Sequence, residues 1–592
     1  MAAVSNTHVD FMGLYLSLNL TPTITADQWD SFWSDSLRLL REFPLRLVRP
    51  SEHKTPYGSQ KIWTDTLTAT DKNGEYWEIG GDAESLLFCE SVRLYRNIEY
   101  YQQQWDQRKP KEQLPNDDPL FCTYQDFAKA EEDFDDHVSL SGVELFHCRT
   151  QGYPYHHAIA AVVSLAEHHF PLHALAWCDL RPVGCDAVRQ WLSSLFDEDI
   201  LSPICLDASR LWNRIEGTCG EISTTMKRFV ERFLGTRAQE IHRMLAESRE
   251  TTMQYLAEEL LYYNTITLGF RDLSKSFLAA TDDLDLFLDL IDLRNSLVSS
   301  KIAREYEDER LVIPLEDVLK MLVRAFVTYS QWQGEEIRTL RRWVDMEGGI
   351  VQTINTTLLK MSLPDFFDFY CSENDLLEAF VRREPAKQEK FEQVLRATLE
   401  KNTESEEMIK DFVQSMQERA VAKEKDIDTF FDASDDPFVQ FMKGEVFSQS
   451  ELQDPLTEEN VANIGRYFGY YANQMQQMVD KMEMENADFL SDSTGKRQRD
   501  TLLAIIHQND VRLLEEAILE IERTNDAELL RLFTTLAPFL FAEQFRAATT
   551  IFFGEAFTRV RPALWHLLNK PIWWSTLREH MNDGVTGDEI KI

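Results

Sequence analysis

The chain has 592 residues, 43% of them hydrophobic and 11% aromatic, which is ample for more than one buried core and excludes global disorder. Its 61 Lys and Arg stand against 100 Asp and Glu, a formal net charge of -39. Acidic residues are in excess both before and after residue 200 and no basic stripe interrupts them, so nucleic acid and anionic membranes are poor partners.

The first apolar run, Phe11 to Leu20, follows no basic leader, and the most apolar stretch, Leu536 to Phe557, is broken by Glu543, Arg546 and Glu555. Eight cysteines without a C-x-x-C pair suit a reducing compartment, so the expectation is a cytoplasmic protein.

Leu14 to Leu20 alternates as a strand, and Thr25 is placed to cap a helix over 26–42 that puts Trp29, Phe32, Trp33, Leu37 and Leu40 on one side. Phe43-Pro44 stops that helix. A strand at Leu45 to Val48, a hairpin of 61–69 with 75–79 about Lys72-Asn73-Gly74, and a strand at 92–96 follow. Residues 103–118 read as a polar loop. Val143 to Arg149, Tyr155 to His169 and Leu172 to Cys178 then repeat the order strand, helix, strand, again with Phe-Pro after the helix. The fold class expected is therefore an α+β N-terminal region, with two related βαβ-like halves as one reading of the repeat, followed by a large all-α region.

Helices dominate beyond Leu211, most densely between Thr224 and Val298, and are also expected at 315–329, 334–344, 350–361, 375–383 and 388–419. Residues 423–437 and 491–500 read as connections, the second open to proteolysis. Asn509-Asp510, Asn525-Asp526 and Asn374-Asp375 read as helix-start signals. The expected division is 1–200 as the α+β module, 205–422 as a helical body, 438–490 as a helical segment and 500–592 as a C-terminal helical segment.

Three stretches could hold a metal. Seven of the thirteen histidines lie between His137 and His173, the others being His147, His156, His157, His168 and His169, with Cys148, Cys178 and Cys185 nearby. Their spacing suits zinc badly, because adjacent histidines on a helix point different ways. Asp133, Asp135 and Asp136 form an acidic turn without the glycine of a calcium loop. Within the run 281–292, Asp282, Asp285, Asp289 and Asp292 fall on one face if the run is a single helix. That stripe resembles the aspartate-rich motif of terpene synthases, and the resemblance, confined to this helix, implies magnesium and a diphosphate bound by Asp282, Asp285 and Asp289. The favoured reading is instead an acidic stripe paired with arginines such as Arg271, Arg294 or Arg304.

Nucleotide and hydrolase signatures are missing: Gly495-Lys496 lacks the remainder of a phosphate loop, and there is no G-x-S-x-G or H-E-x-x-H. Gly465 and Gly469, four apart, permit close helix approach, and Tyr467, Met475, Met478 and Met482 continue an adaptable apolar face. Trp573 and Trp574 read as a docking clasp or a recognition patch. No cofactor is expected. The leading function is a non-enzymatic interaction or scaffold protein that binds another protein through an acidic surface. The alternatives are a metal-dependent enzyme acting on a phosphorylated small molecule and an acidic decoy of a nucleic-acid-binding protein.

Overall fold

Thr25 opens the first helix, α1 (Ala26–Glu42), through a capping box: its hydroxyl accepts from the Gln28 amide while the Gln28 side chain accepts from the Thr25 amide. The computed structural model describes residues 14–21, 23–108, 118–121, 143–178, 180, 182–265, 267–298, 312–323, 372–400, 456, 458, 461–462, 465–466, 469, 495–541 and 565–581. The chain divides into two compact units. One comprises residues 1–179, 194–197 and 451–592, and the other residues 180–193 and 198–450.

The first unit is built on two sheets. β1 (Tyr15–Leu20) is the centre of a three-stranded sheet, flanked by β7 (Val143–Arg149) and β8 (Ala174–Cys178), both antiparallel to it. The Tyr155–His169 helix carries the chain from β7 to β8, and its Ala158 to Ala166 stretch is buried throughout. The second sheet runs β4-β5-β2-β3-β9, with β6 on β5. Its strands are β2 (Leu47–Thr55), β3 (Gly58–Thr64), β4 (Thr68–Asp71), β5 (Gly74–Asp82), β6 (Phe88–Tyr95) and β9 (Leu513–Leu514).

Three tryptophans fix α1 and the second sheet together. The indole N–H of Trp29 donates to Tyr95 O at 3.1 Å, that of Trp33 to Leu94 O at 3.0 Å, and that of Trp77 to Ser36 Oγ at 2.9 Å. Each buries a large apolar ring without orphaning its polar atom. The Lys72-Asn73-Gly74 turn closes a hairpin of β4 with β5, and Gly74 supplies the positive φ of 122° that it requires.

The two strand-helix-strand stretches connect differently. β1 and β2, on either side of α1, belong to different sheets, whereas β7 and β8 share one and enclose β1. Residues 103–108, expected in a loop, complete a helix, Ile98–Arg108, whose Tyr101 hydroxyl accepts from the Tyr95 amide at 2.9 Å.

The end of the chain belongs to this unit. Leu513 and Leu514 run parallel to Ile62 and Trp63 and extend the sheet by one short strand. Beneath it Ile62, Trp63, Leu502, Ile506, Leu514, Ile518, Leu530, Phe533, Leu568 and Trp574 share one core. Two expectations need correcting here. Residues 495–500 are not a linker but the first turns of the Gly495–Gln508 helix. Asn509-Asp510 closes that helix, with Asp510 at a φ of 52°, and does not start the next. Asp526 does cap a helix, accepting from the amides of Glu528 and Leu529.

The second unit is helical. The helices Ala208–Cys219, Ile222–Arg232, Arg237–Glu247, Arg249–Leu260, Leu268–Thr281 and Leu284–Leu297 follow one another, and Asp207, Thr236, Ser248, Thr267 and Asp283 cap five of them with side-chain oxygens. Short polar caps let many helices fit into little chain. Trp212 packs edge-on to Phe229, which stacks on Phe233, and Phe277 meets Phe287. Ser372, not Asn374-Asp375, caps the Glu373–Arg383 helix. No described helix is long and apolar enough to cross a membrane. The expected helices at 334–344 and 350–361, and the connection at 423–437, lie outside the described residues.

Candidate functional site

The acidic run does not form one helix. Leu268–Thr281 ends at Asp282, which takes the left-handed conformation at a φ of 51°, and Asp283 then caps Leu284–Leu297 by accepting from the Leu286 amide at 2.9 Å. Asp282 is therefore off the stripe. Asp285, Asp289 and Asp292 remain on it, since the new helix turns its Phe287, Leu290 and Ile291 inward.

Cations from two other helices of the same unit meet these carboxylates. Arg382 donates to Asp285 at 2.8 Å, Arg383 bonds Asp289 and, at 2.7 Å, Asp292, and Arg249 lies 3.6 Å from Asp289. Arg383 also donates to Asp285 O at 2.7 Å. The partners differ from those expected. Arg294 is buried and turns to the helix ends, donating to Leu260 O and Tyr263 O, and Arg304 lies outside the described residues. A carboxylate held by a guanidinium fork has lone pairs committed that a magnesium ion would need.

The histidine-rich stretch is dispersed over different jobs. His147 stacks on Tyr15 with ring centroids 5.2 Å apart. Buried His156 sits 2.7 Å from the Thr150 hydroxyl, His169 lies 3.2 Å from Asp35, and His173 reaches Thr21 at 3.3 Å. Cys148 is buried in β7, while Cys185 belongs to the helical unit. His137 and the acidic turn at Asp133, Asp135 and Asp136 lie outside the described residues. Among the described residues no group of three or more His, Cys, Asp or Glu side chains could hold a metal ion.

Gly465 and Gly469 face the last helix among the described residues, Trp574–His580. A Cβ at Gly465 would press on Leu577 O, and one at Gly469 would overlap Met581 O. Trp574 is 5% exposed and donates to Leu567 O at 2.7 Å, while Trp573 packs partly buried beside it. Tyr467, Met475, Met478 and Met482 lie outside the described residues.

Two acidic sites, a lone aspartate and a pair of glutamates, were not singled out from sequence. Asp82, at the end of β5, is fully buried and accepts from the Ser85 amide at 2.7 Å and the Ser85 hydroxyl at 2.6 Å. Burial pushes its carboxyl up to about 7, against the pull of those two bonds. In the helical unit Arg237 bridges Glu240 and Glu259, and burial pushes both carboxyls up against the attraction of the arginine. Only an Asp followed three residues on by Ser hinted at the first, and nothing local hinted at the second.

Two concavities among the described residues are small and partly polar. One, of about 300 Å³, lies in the helical unit between Ser209, Gln239, His242, Arg243 and Ala280. Another, of about 390 Å³, lies at the C-terminal end of α1 in the first unit. The chain matches no protein-family model, no curated protein and no solved structure.

Proposed function

We propose that this chain is a cytoplasmic, non-enzymatic interaction protein whose acidic surface engages a basic face of another protein. The observation that carries the reading is the charge left after pairing. With 100 carboxylate residues and 61 Lys and Arg, one-to-one ion pairing everywhere would still leave a net -39. Such a field repels phosphate backbones and anionic lipid, and it steers a basic protein surface into encounter. The arginine pairs on Asp285, Asp289 and Asp292 add support, because they engage carboxylates that a metal-dependent enzyme would need for its ion.

Apolar contact with the partner is assigned to Tyr467, Met475, Met478, Met482 and the half-buried Trp573. Trp574 supports them from within the core. Affinity capture of the full chain from native lysate at moderate salt should yield one stoichiometric protein partner. The complex should weaken steeply as salt rises, as an interface of opposite charges does. A chain that captures nothing, or whose capture is indifferent to salt, contradicts the proposal.

A further inference from the structure

The cleft at the end of α1 runs against the charge of the rest of the chain. Its floor is apolar, made by Trp33 and Leu37, with the Trp33 indole N–H already committed to Leu94 O. Three arginines line it: Arg38 and Arg41 from α1, and Arg96 just after β6. Glu42 is the one carboxylate in the lining and Ser34 adds a hydroxyl.

Two of the arginines are held in place with donors to spare. Arg38 gives Nε to Glu42 at 3.1 Å and Nη2 to Leu195 O at 3.1 Å, and its guanidinium lies 5.1 Å from the Phe196 ring centroid. Arg96 gives Nε to Asp30 at 2.8 Å and Nη1 to Glu75 at 3.0 Å, while lying 5.2 Å from the Trp33 ring centroid. A guanidinium carries five N–H donors, so each fork is oriented by its pair and keeps a terminal nitrogen uncommitted among the described residues. Arg41 is exposed and has no hydrogen-bond or ion-pair partner among the described residues.

We infer that this cleft binds a small multivalent oxyanion, a phosphorylated or polycarboxylate metabolite bridging the free ends of Arg38, Arg41 and Arg96. Multivalency follows from the surroundings. Asp30, Glu75 and Glu42 offset the three arginines charge for charge, so binding rests on the uncommitted guanidinium donors, and the last carbonyls of α1 oppose an anion further. A singly charged anion gains too little there, whereas an oxyanion that engages two forks gains charge-assisted, bidentate hydrogen bonds. The apolar floor gives a carbon skeleton somewhere to rest. This inference is independent of the proposed protein partner.

The test is titration calorimetry of the full chain with inorganic pyrophosphate, and separately with citrate, in magnesium-free buffer containing a chelator. One site per chain is expected for at least one of the two, with inorganic phosphate weaker. Citrate alone would assign the polycarboxylate class and pyrophosphate alone the phosphorylated one. Arg41→Gln should weaken binding about tenfold or more, the loss of one charge-assisted contact, and leave the ligand-free melting temperature unchanged. Arg382→Gln, remote in sequence and on the helical unit, should leave affinity unchanged. No heat from either anion at millimolar concentration, or equal affinity in Arg41→Gln, overturns the inference.

Discussion

The two units close themselves by different means. The sheet-bearing unit joins the beginning of the chain to its end: Ile62 and Trp63 pair with Leu513 and Leu514, Arg46 meets Glu516 at 2.7 Å and Lys61 meets Asp510 at 2.6 Å. The helical unit between residues 198 and 297 is instead a succession of short capped helices, with Arg382 and Arg383 reaching back to it from about a hundred residues on. Closing a long loop costs entropy before its contacts form, so the first unit depends on its apolar seam and the second more on local helix signals.

Truncation is the harshest way to break that comparison. Ending the chain at residue 450 strips Leu502, Ile506, Leu514 and Ile518 from Val48, Ile62 and Trp63. Hydrogen exchange should then show protection lost across β2, β3 and β5 and retained in the helices of 208–297. Equal protection in both units would mean that the seam contributes little.

The next largest effect is the pH dependence that buried Asp82 gives the first unit, alongside one of the same sign that buried Glu240 gives the helical unit. The folded Asp82 carboxyl titrates at about 7, above its unfolded value of 3.8, so the folded state holds an extra proton between those limits. Stability therefore falls as pH rises from about 4 to about 7 and is flat above, by up to ~4 kcal/mol at 1.36 kcal/mol per unit. Asp82→Asn keeps the bond from the Ser85 amide on its one acceptor oxygen and reverses the other, its Nδ2 donating to Ser85 Oγ; it should remove the Asp82 share of that fall, leaving the variant more stable than the parent at pH 8. Denaturant titrations at pH 5 and pH 8 read the difference.

Gly469→Ala tests the helix contact at the chain's end. The added Cβ has backbone, not a flexible side chain, to displace, so a loss of about 1–3 kcal/mol is expected in chemical denaturation. Gly74→Ala has open space, and any cost there comes from its φ of 122° alone.

The smallest effect belongs to the helical unit. Arg383→Ala removes bonds to Asp289 and Asp292 whose side chains are half exposed, so stability should drop by only ~0.5–1 kcal/mol and the loss should shrink in high salt. A loss several times larger would show that the ladder holds the helices together.

How much was legible in the sequence tracks this division. α1 was readable to the residue because cap, periodicity and Phe-Pro stop agree, and the Tyr155–His169 helix, which has no side-chain cap, was bounded by its apolar run and its own Phe-Pro stop. β2 was read short, since Arg49 to Thr55 has no apolar alternation and is recruited by backbone pairing to β3. β9 has two residues and no pattern of its own; its partner lies some four hundred and fifty positions away. The break at Asp282 was available, as two successive aspartates before an apolar run form a cap signal, yet the acidic period concealed it. Arg382 and Arg383 could not be paired with their aspartates from spacing alone. Of the arginine cleft, Arg38 and Arg41 share a helical face in the sequence, but Arg96 joins them only through the sheet.

On the proposed reading, carboxylates serve as scaffold in one unit while the remaining acidity is left for a partner. Calorimetric titration of magnesium into the full chain, alongside Asp285→Asn/Asp289→Asn, tests this most directly. No stoichiometric binding in either protein is predicted. A saturable magnesium site in the parent that vanishes in the double variant would contradict it.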